Sequence, residues 1–175
     1  MFERKKVSII AGLPGSGKTT YSIKLANELQ EYYHKEVLYA TLESNIDIIT
    51  KQSCNSKISF KVISLTDGNL RTVITNIKNE DLQNQVRFNK RIDVIFIDYI
   101  QLIDNDEKDC DSQIIKTIEF FKDLATLLDL HIVLISQCTR NAVNNNIQLP
   151  SYIEDKLDEF EVHIVNNIKK GILGE

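Results

Sequence analysis

The stretch GLPGSGKT, from Gly12 to Thr19, constrains this chain more than any other. It fits the pattern GxxxxGK followed by Ser or Thr in full. It also lies between a short β-rich apolar run, residues 7–11, and a segment with helical spacing. Each residue type has a physical task in such a loop. Gly12, Gly15 and Gly17 let backbone amides wrap phosphate oxygens, and the N-terminus of the following helix favours negative charge. Lys18 is placed to neutralise β- and γ-phosphates, and the Thr19 hydroxyl to ligate Mg2+. The cradle of Gly12, Leu13, Pro14, Gly15, Ser16, Gly17, Lys18, Thr19 and Thr20 is therefore expected to hold ATP with Mg2+.

The rest of the chain alternates in a way that suits this loop. Residues 19–33 carry helical spacing at Ile23, Leu25, Ala26 and Leu29. Residues 37–41 read as the next strand, 45–52 as a short helix and 58–64 as another strand. Asp67 and Gly68 break the chain before a helix over 70–86. Residues 92–98, IDVIFID, form the continuous apolar run expected of a strand covered on both faces. A helix over 112–129 shows one apolar face from Ile114 to Leu128, with Ser112 as its candidate cap. Strands over 131–136 and 161–165 complete the set. This order predicts an α/β fold: a doubly wound, mostly parallel sheet with helices on both faces and ligands at the carboxyl ends of its strands.

Composition narrows the class. The 175 residues, 42% hydrophobic and 26% charged, suit a single domain over 1–175 with one substantial core. A net charge of −4 gives no overall basic character to advertise nucleic-acid binding, although a local positive groove is compatible with it. Cys54, Cys110 and Cys138 are odd in number and lack metal-binding spacing, which suits a reducing cytoplasmic setting. The opening MFERKKVSII places charge before an apolar run, as a signal peptide would. That run ends at once in the glycine loop, so it reads as a core strand. No apolar run approaches the roughly 20 residues of a membrane span, and no membrane partner is expected. NAVNNNIQ, residues 141–148, is the clearest polar loop.

Two carboxylates are candidates for the hydrolytic chemistry. Asp98 ends its strand where Mg2+ or a metal-bound water could meet it, though a lone strand-end Asp can also simply start a turn. Glu43 lies just beyond the 37–41 strand. With that strand beside the phosphate-loop strand, Glu43 would face the γ-phosphate and could orient water. It equally suits a solvated side chain near the start of the next helix.

TLE at 41–43, IDYIQLI at 97–103 and LISQCTR at 134–140 form a set. Together they resemble the RecA-like ATPase domain of DnaB-type replicative helicases, whose motifs read like SLE, IDYLQLM and ALSQLNR. The resemblance spans residues 7–140. It implies a RecA-like P-loop NTPase with Glu43 catalytic, Asp98 at the metal, Gln137 sensing the γ-phosphate and Arg140 near a DNA-side loop. Arg140 reads equally well as a surface arginine. The resemblance also implies a homo-oligomer, ring or filament, acting on single-stranded DNA beside replication proteins.

Departures accompany the likeness. LPSYIEDKLDEF is acidic where the family carries a DNA-contacting loop, so no DNA-contact residue is carried over from it. The tail NNIKKGILGE resembles a family turn that gives a lysine and an arginine finger to a neighbouring subunit. Asn167 then stands at the lysine and Lys169 at the arginine, with Lys170 beside it, and a lysine lacks the bidentate fork. Lys169 and Lys170 also fit a plain solvated turn. The first strand is expected six residues from the start, and the helical N-terminal domain of full replicative helicases is not expected here. The expected function is ATP hydrolysis of the DnaB-helicase kind in DNA replication or repair. The rivals are a P-loop kinase of a small molecule or polynucleotide end, and a helicase-like ATP-binding adaptor with little turnover.

Overall fold

Burial runs unbroken along the central strands. Ile95, Phe96 and Ile97 on one, and Ile132, Val133, Leu134 and Ile135 on the next, have no exposed side. Only a parallel sheet with both faces covered provides that environment. The computed structural model describes residues 3–42, 46–53, 60–65, 67–104, 110–140, 147–148 and 161–165. Along the chain run β1 (Val7–Gly12), α1 (Lys18–Tyr33), β2 (Val37–Thr41), α2 (Ile46–Ser53) and β3 (Lys61–Ser64). They are followed by α3 (Leu70–Phe88), β4 (Val94–Asp98), a 3-10 turn (Ile100–Leu102), α4 (Cys110–Leu128) and β5 (His131–Gln137). Two short strands, β6 (Thr139–Arg140) and β7 (Ile147–Gln148), pair antiparallel, and β8 (Glu161–Val165) comes last.

The main sheet has six strands in the order β3-β2-β4-β5-β1-β8, and every pairing is parallel. Helices cover both faces. Side chains alternate across the pleat, so Val7, Ile9 and Ala11 of β1 join the core under α3 and α4, while Ile10 joins the one under α1 and α2. The apolar stripe of α4, with Ile114, Ile118, Phe121, Leu124 and Ala125, is fully absorbed there. Among the described residues no helix is long and apolar enough to cross a membrane.

Some expectations fail for identifiable reasons. β2 does not lie beside β1, because β5 and β4 stand between them. The two most apolar strands take the middle of the sheet, where cover is complete, and sequence order carries no signal for that crossover. Ser112 lies inside the first turn of α4, which starts at Cys110, so it is not the cap. The backbone helix begins ahead of its apolar stripe. Tyr32 and Tyr33, in the last turn of α1, are exposed. They sit past Leu29, the last buried residue of α1, and the chain turns away at His34 with φ 53°. The polar stretch 141–148 ends in a strand, β7.

The starts of the strands are tied together by polar side chains. Asp81 of α3 is buried, and its carboxylate accepts from Ile92 N at 3.0 Å, Arg91 Nη2 at 3.0 Å and Gln85 Nε2 at 2.9 Å. Arg91 and Lys90 are thus engaged within the chain, Arg91 with Asp81 and Lys90 with Glu36. His131 is also buried. Its Nδ1 lies 2.7 Å from the Glu3 carbonyl and its Nε2 2.6 Å from Ser8 Oγ. These partners select the neutral ring, with Nδ1 donating to the carbonyl and Nε2 accepting from the hydroxyl. Burial lowers its pKa from the usual 6.5, against a smaller upward pull from the Glu3 carbonyl.

Two expectations follow for stability. Asp81→Ala strands a buried amide and should cost about 2 kcal/mol in a urea titration. The unfolded chain protonates His131 before the folded one does. The stability due to the neutral ring is therefore complete above pH 6.5 and declines as pH falls through that value. The thermal midpoint should drop between pH 7 and about pH 5.5, and His131→Asn should flatten that profile.

Candidate functional site

The glycine loop has the backbone its sequence requires. Gly15 and Gly17 adopt φ of 73° and 93°, the left-handed region that favours glycine. A Cβ on Gly12 would lie 2.7 Å from both Ser16 Oγ and the Val165 carbonyl, so no larger residue fits where β1 meets the loop. Lys18 opens α1 and folds back over the loop, where its Nζ donates to the carbonyls of Gly12 at 3.0 Å and Leu13 at 2.9 Å. Ser16 Oγ is buried and has no hydrogen-bond partner among the described residues. A buried hydroxyl in that state is costly unless something else meets it. Inside a loop at a helix N-terminus, an anionic oxygen is the fitting partner.

Asp98 forms the opposite wall. It sits at the tip of β4, 2% exposed, and its Oδ2 accepts from Thr19 Oγ1 at 2.9 Å and from the Tyr39 hydroxyl at 3.0 Å. Ser22 Oγ donates to the Thr19 carbonyl at 2.9 Å and lies 2.8 Å from the Tyr39 hydroxyl. The Tyr39 ring is stacked between Phe96 and Phe60, with centroids 5.7 and 5.8 Å away, which fixes the direction of its hydroxyl. The peptide between Asp98 and Tyr99 is cis.

Parallel register brings these groups to one edge. Gly12 pairs with Gln137, Ile135 with Asp98, and Asp98 with Thr41. The resulting cleft, about 370 Å³, is lined by Lys18, Thr19, Asp98 and Gln137 among others. The loop residues, Asp98 and Gln137 are therefore brought together. Leu42 N donates to the Asp98 carbonyl at 2.8 Å, which carries the β2–β4 pairing one residue past β2. Glu43, Asn167, Lys169 and Lys170 lie outside the described residues. Arg140 belongs to β6, opposite Ile147. Cys138 is buried behind the loop, its N–H on the Gly12 carbonyl at 2.9 Å, and burial pushes its thiol pKa up. A second concavity of about 210 Å³, lined by Leu25, Leu29, Tyr33 and Val94, lies at the opposite edge. Parallel α/β sheets hold ligands at the carboxyl ends of their strands, which favours the cleft over the loop.

The DnaB-like helicase C terminal domain family matches residues 72–154, a stretch that contains Asp98 and Gln137. A probable plasmid replicative DNA helicase of Chlamydia psittaci is 26% identical over 86% of this chain and 38% of its own length. A probable replicative DNA helicase of Trieres chinensis is 21% identical over 85% of this chain and 39% of its own. Among solved structures, an ATPase domain superposes with a TM-score of 0.66 at 18% identity, covering 79% of this chain and 59% of that one. A DnaB-like replicative helicase, described with its primase interactions, gives 0.66 at 17% identity, covering 86% and 44%. The chain shares the fold of these ATPase domains, and its residues 72–154 match the DnaB-like helicase C terminal domain family. It spans about two-fifths of the length of the curated relatives it matches.

Two residues of this candidate site escaped sequence reasoning. Tyr39 read as one more β-forming residue in VLYAT, and Ser22 as part of a helix. The available signal was a phenol hydroxyl in a strand otherwise buried on every side, because a buried hydroxyl needs a partner. Tyr39→Phe keeps the stacked ring and deletes the hydroxyl's contacts. We expect a loss of about 1 to 2 kcal/mol in chemical denaturation, and an unchanged midpoint would remove the phenol from the Asp98 network.

Proposed function

We propose that this domain binds and hydrolyses ATP with Mg2+ and acts on single-stranded DNA, as a ring or filament of identical subunits, in DNA replication or repair. The observation that carries this reading is the convergence of Lys18, Thr19, Asp98 and Gln137 on one cleft beside a buried Ser16 hydroxyl with no partner among the described residues. Residues 12–20 hold the triphosphate, and Lys18 exchanges its backbone carbonyls for β- and γ-phosphate oxygens. Thr19 and Asp98 are the hard oxygen donors that suit Mg2+, which when bound neutralises phosphate charge. Glu43 follows the strand that pairs with β4, and in this reading it orients the attacking water. Gln137 reports on the γ-phosphate to the segment beyond β5.

The wider assignment draws on the relatives. Two are named as replicative helicases, and one solved neighbour is described with primase, which makes replication proteins the candidate partners. Lys169 and Lys170 are the candidates for a contribution in trans to a neighbour's triphosphate, with lysine a weaker clamp than arginine. Arg140, opposite Ile147 in the β6–β7 pair, is the candidate on the DNA side.

ATP turnover with and without single-stranded DNA, alongside native mass with and without nucleotide, tests the reading. We expect turnover above background, stimulation by DNA and a nucleotide-dependent rise in mass. Glu43→Gln should keep ATP binding while losing about 100-fold or more in kcat, and Lys18→Ala should lose binding. Phosphoryl transfer to a nucleoside or polynucleotide end in preference to water would make the protein a kinase. Tight nucleotide binding with turnover at background, DNA or not, would make it an adaptor.

A further inference from the structure

We propose that Gln101 is a positioning residue that holds the Gln137 end of β5 in register with the phosphate loop, an inference that rests on the ATPase reading above. The β4–β5 ladder stops at the Asp98–Ile135 pair, yet β5 runs on through Ser136 and Gln137. On its other side β5 stays paired with Ala11 and Gly12 of β1. Backbone groups of successive strand residues point to opposite sides. Cys138 N–H turns to the Gly12 carbonyl, so the N–H and C=O of Gln137 turn toward β4, which has already ended.

Gln101 fills that place. Its Nε2 donates to the Gln137 carbonyl at 3.1 Å and to Ser136 Oγ at 3.0 Å, and its Oε1 accepts from Gln137 N at 3.3 Å. A carboxamide carries the same donor and acceptor as a peptide group. Here it stands in for one more residue of β4.

The arm that carries this amide is braced. Gln101 sits in the 3-10 turn between Ile100 and Ile103, each 1% exposed. The Ile103 carbonyl accepts from Gln113 Nε2 of α4 at 2.7 Å. Gly68 packs against the turn so closely that a Cβ there would lie 2.3 Å from the Leu102 carbonyl oxygen, and its own carbonyl accepts from Asp104 N at 2.8 Å. Gln137 is thereby fixed from two sides, by β1 and by a turn that begins directly after Asp98 and Tyr99. Its side chain faces the cleft with an error set by these bonds. Loss of the amide frees one edge of Gln137 while leaving the loop, Thr19 and Asp98 untouched.

Gln101→Ala and the near-isosteric Gln101→Glu, which lacks the amide donor, provide the test. kcat and KM for ATP are measured, together with the affinity of a non-hydrolysable ATP analogue relative to ADP, and the thermal midpoint. We expect kcat to fall about tenfold or more in both variants, as misplacement of a catalytic group does. KM and ADP affinity should stay within about twofold, and the analogue-to-ADP preference should move toward one. An unchanged kcat and preference overturns the role. A parallel loss of ADP affinity and midpoint also overturns it, because a merely structural contact would do that. If the wild type hydrolyses ATP only at background, the ATPase reading falls and the analogue-to-ADP preference alone decides Gln101. If the wild type binds neither nucleotide, both ideas fall together.

Discussion

A carboxylate that is 2% exposed at the end of a buried strand persists only where donors reach it. Asp98 meets that requirement with two hydroxyls from different elements, Thr19 at the start of α1 and Tyr39 in β2. The bonds tie the loop after β1 to β4 across β5, which lies between them in the sheet. Thr19 follows Lys18 directly, so holding one hydroxyl also sets where the lysine emerges. The glycine loop, the carboxylate and β2 therefore form one connected unit, and the cleft takes its shape from it.

The two edges of the sheet handle polar groups differently. At the strand starts, Asp81, His131 and Asp93 find partners within the chain, Asp93 through Arg4 and the Glu36 amide. At the carboxyl edge the Ser16 hydroxyl has no partner among the described residues, and the Lys18 ammonium rests on backbone carbonyls that weaker acceptors could not improve upon but phosphate oxygens could. The candidate ligand site therefore lies at the carboxyl edge. Parallel strands allow this division because all their carboxyl ends lie together.

Much of the site was legible because its signals are local. Glycines at fixed spacing announce positive φ, and Gly15 and Gly17 adopt it. A continuous apolar run ending in Asp announces a buried strand, and β4 ends at Asp98. Tyr39 and Gln101 carried no such signal, since each acts through partners far away in sequence: Asp98 for the phenol, Ser136 and Gln137 for the amide. The same limit explains the misplaced neighbour of β1. Apolar patterning shows that β2, β4 and β5 are buried strands but not which of them pair.

The sequence by itself determined the glycine loop, the alternation of strands and helices and the acid that closes β4, because each depends on the chemistry of adjacent residues. Tertiary structure alone decided the strand order, the phenol that completes the carboxylate's hydrogen bonds and the amide that extends β4 alongside β5. Those features arise from which buried surfaces and unpaired polar groups satisfy one another in space, and no window along the chain contains both partners.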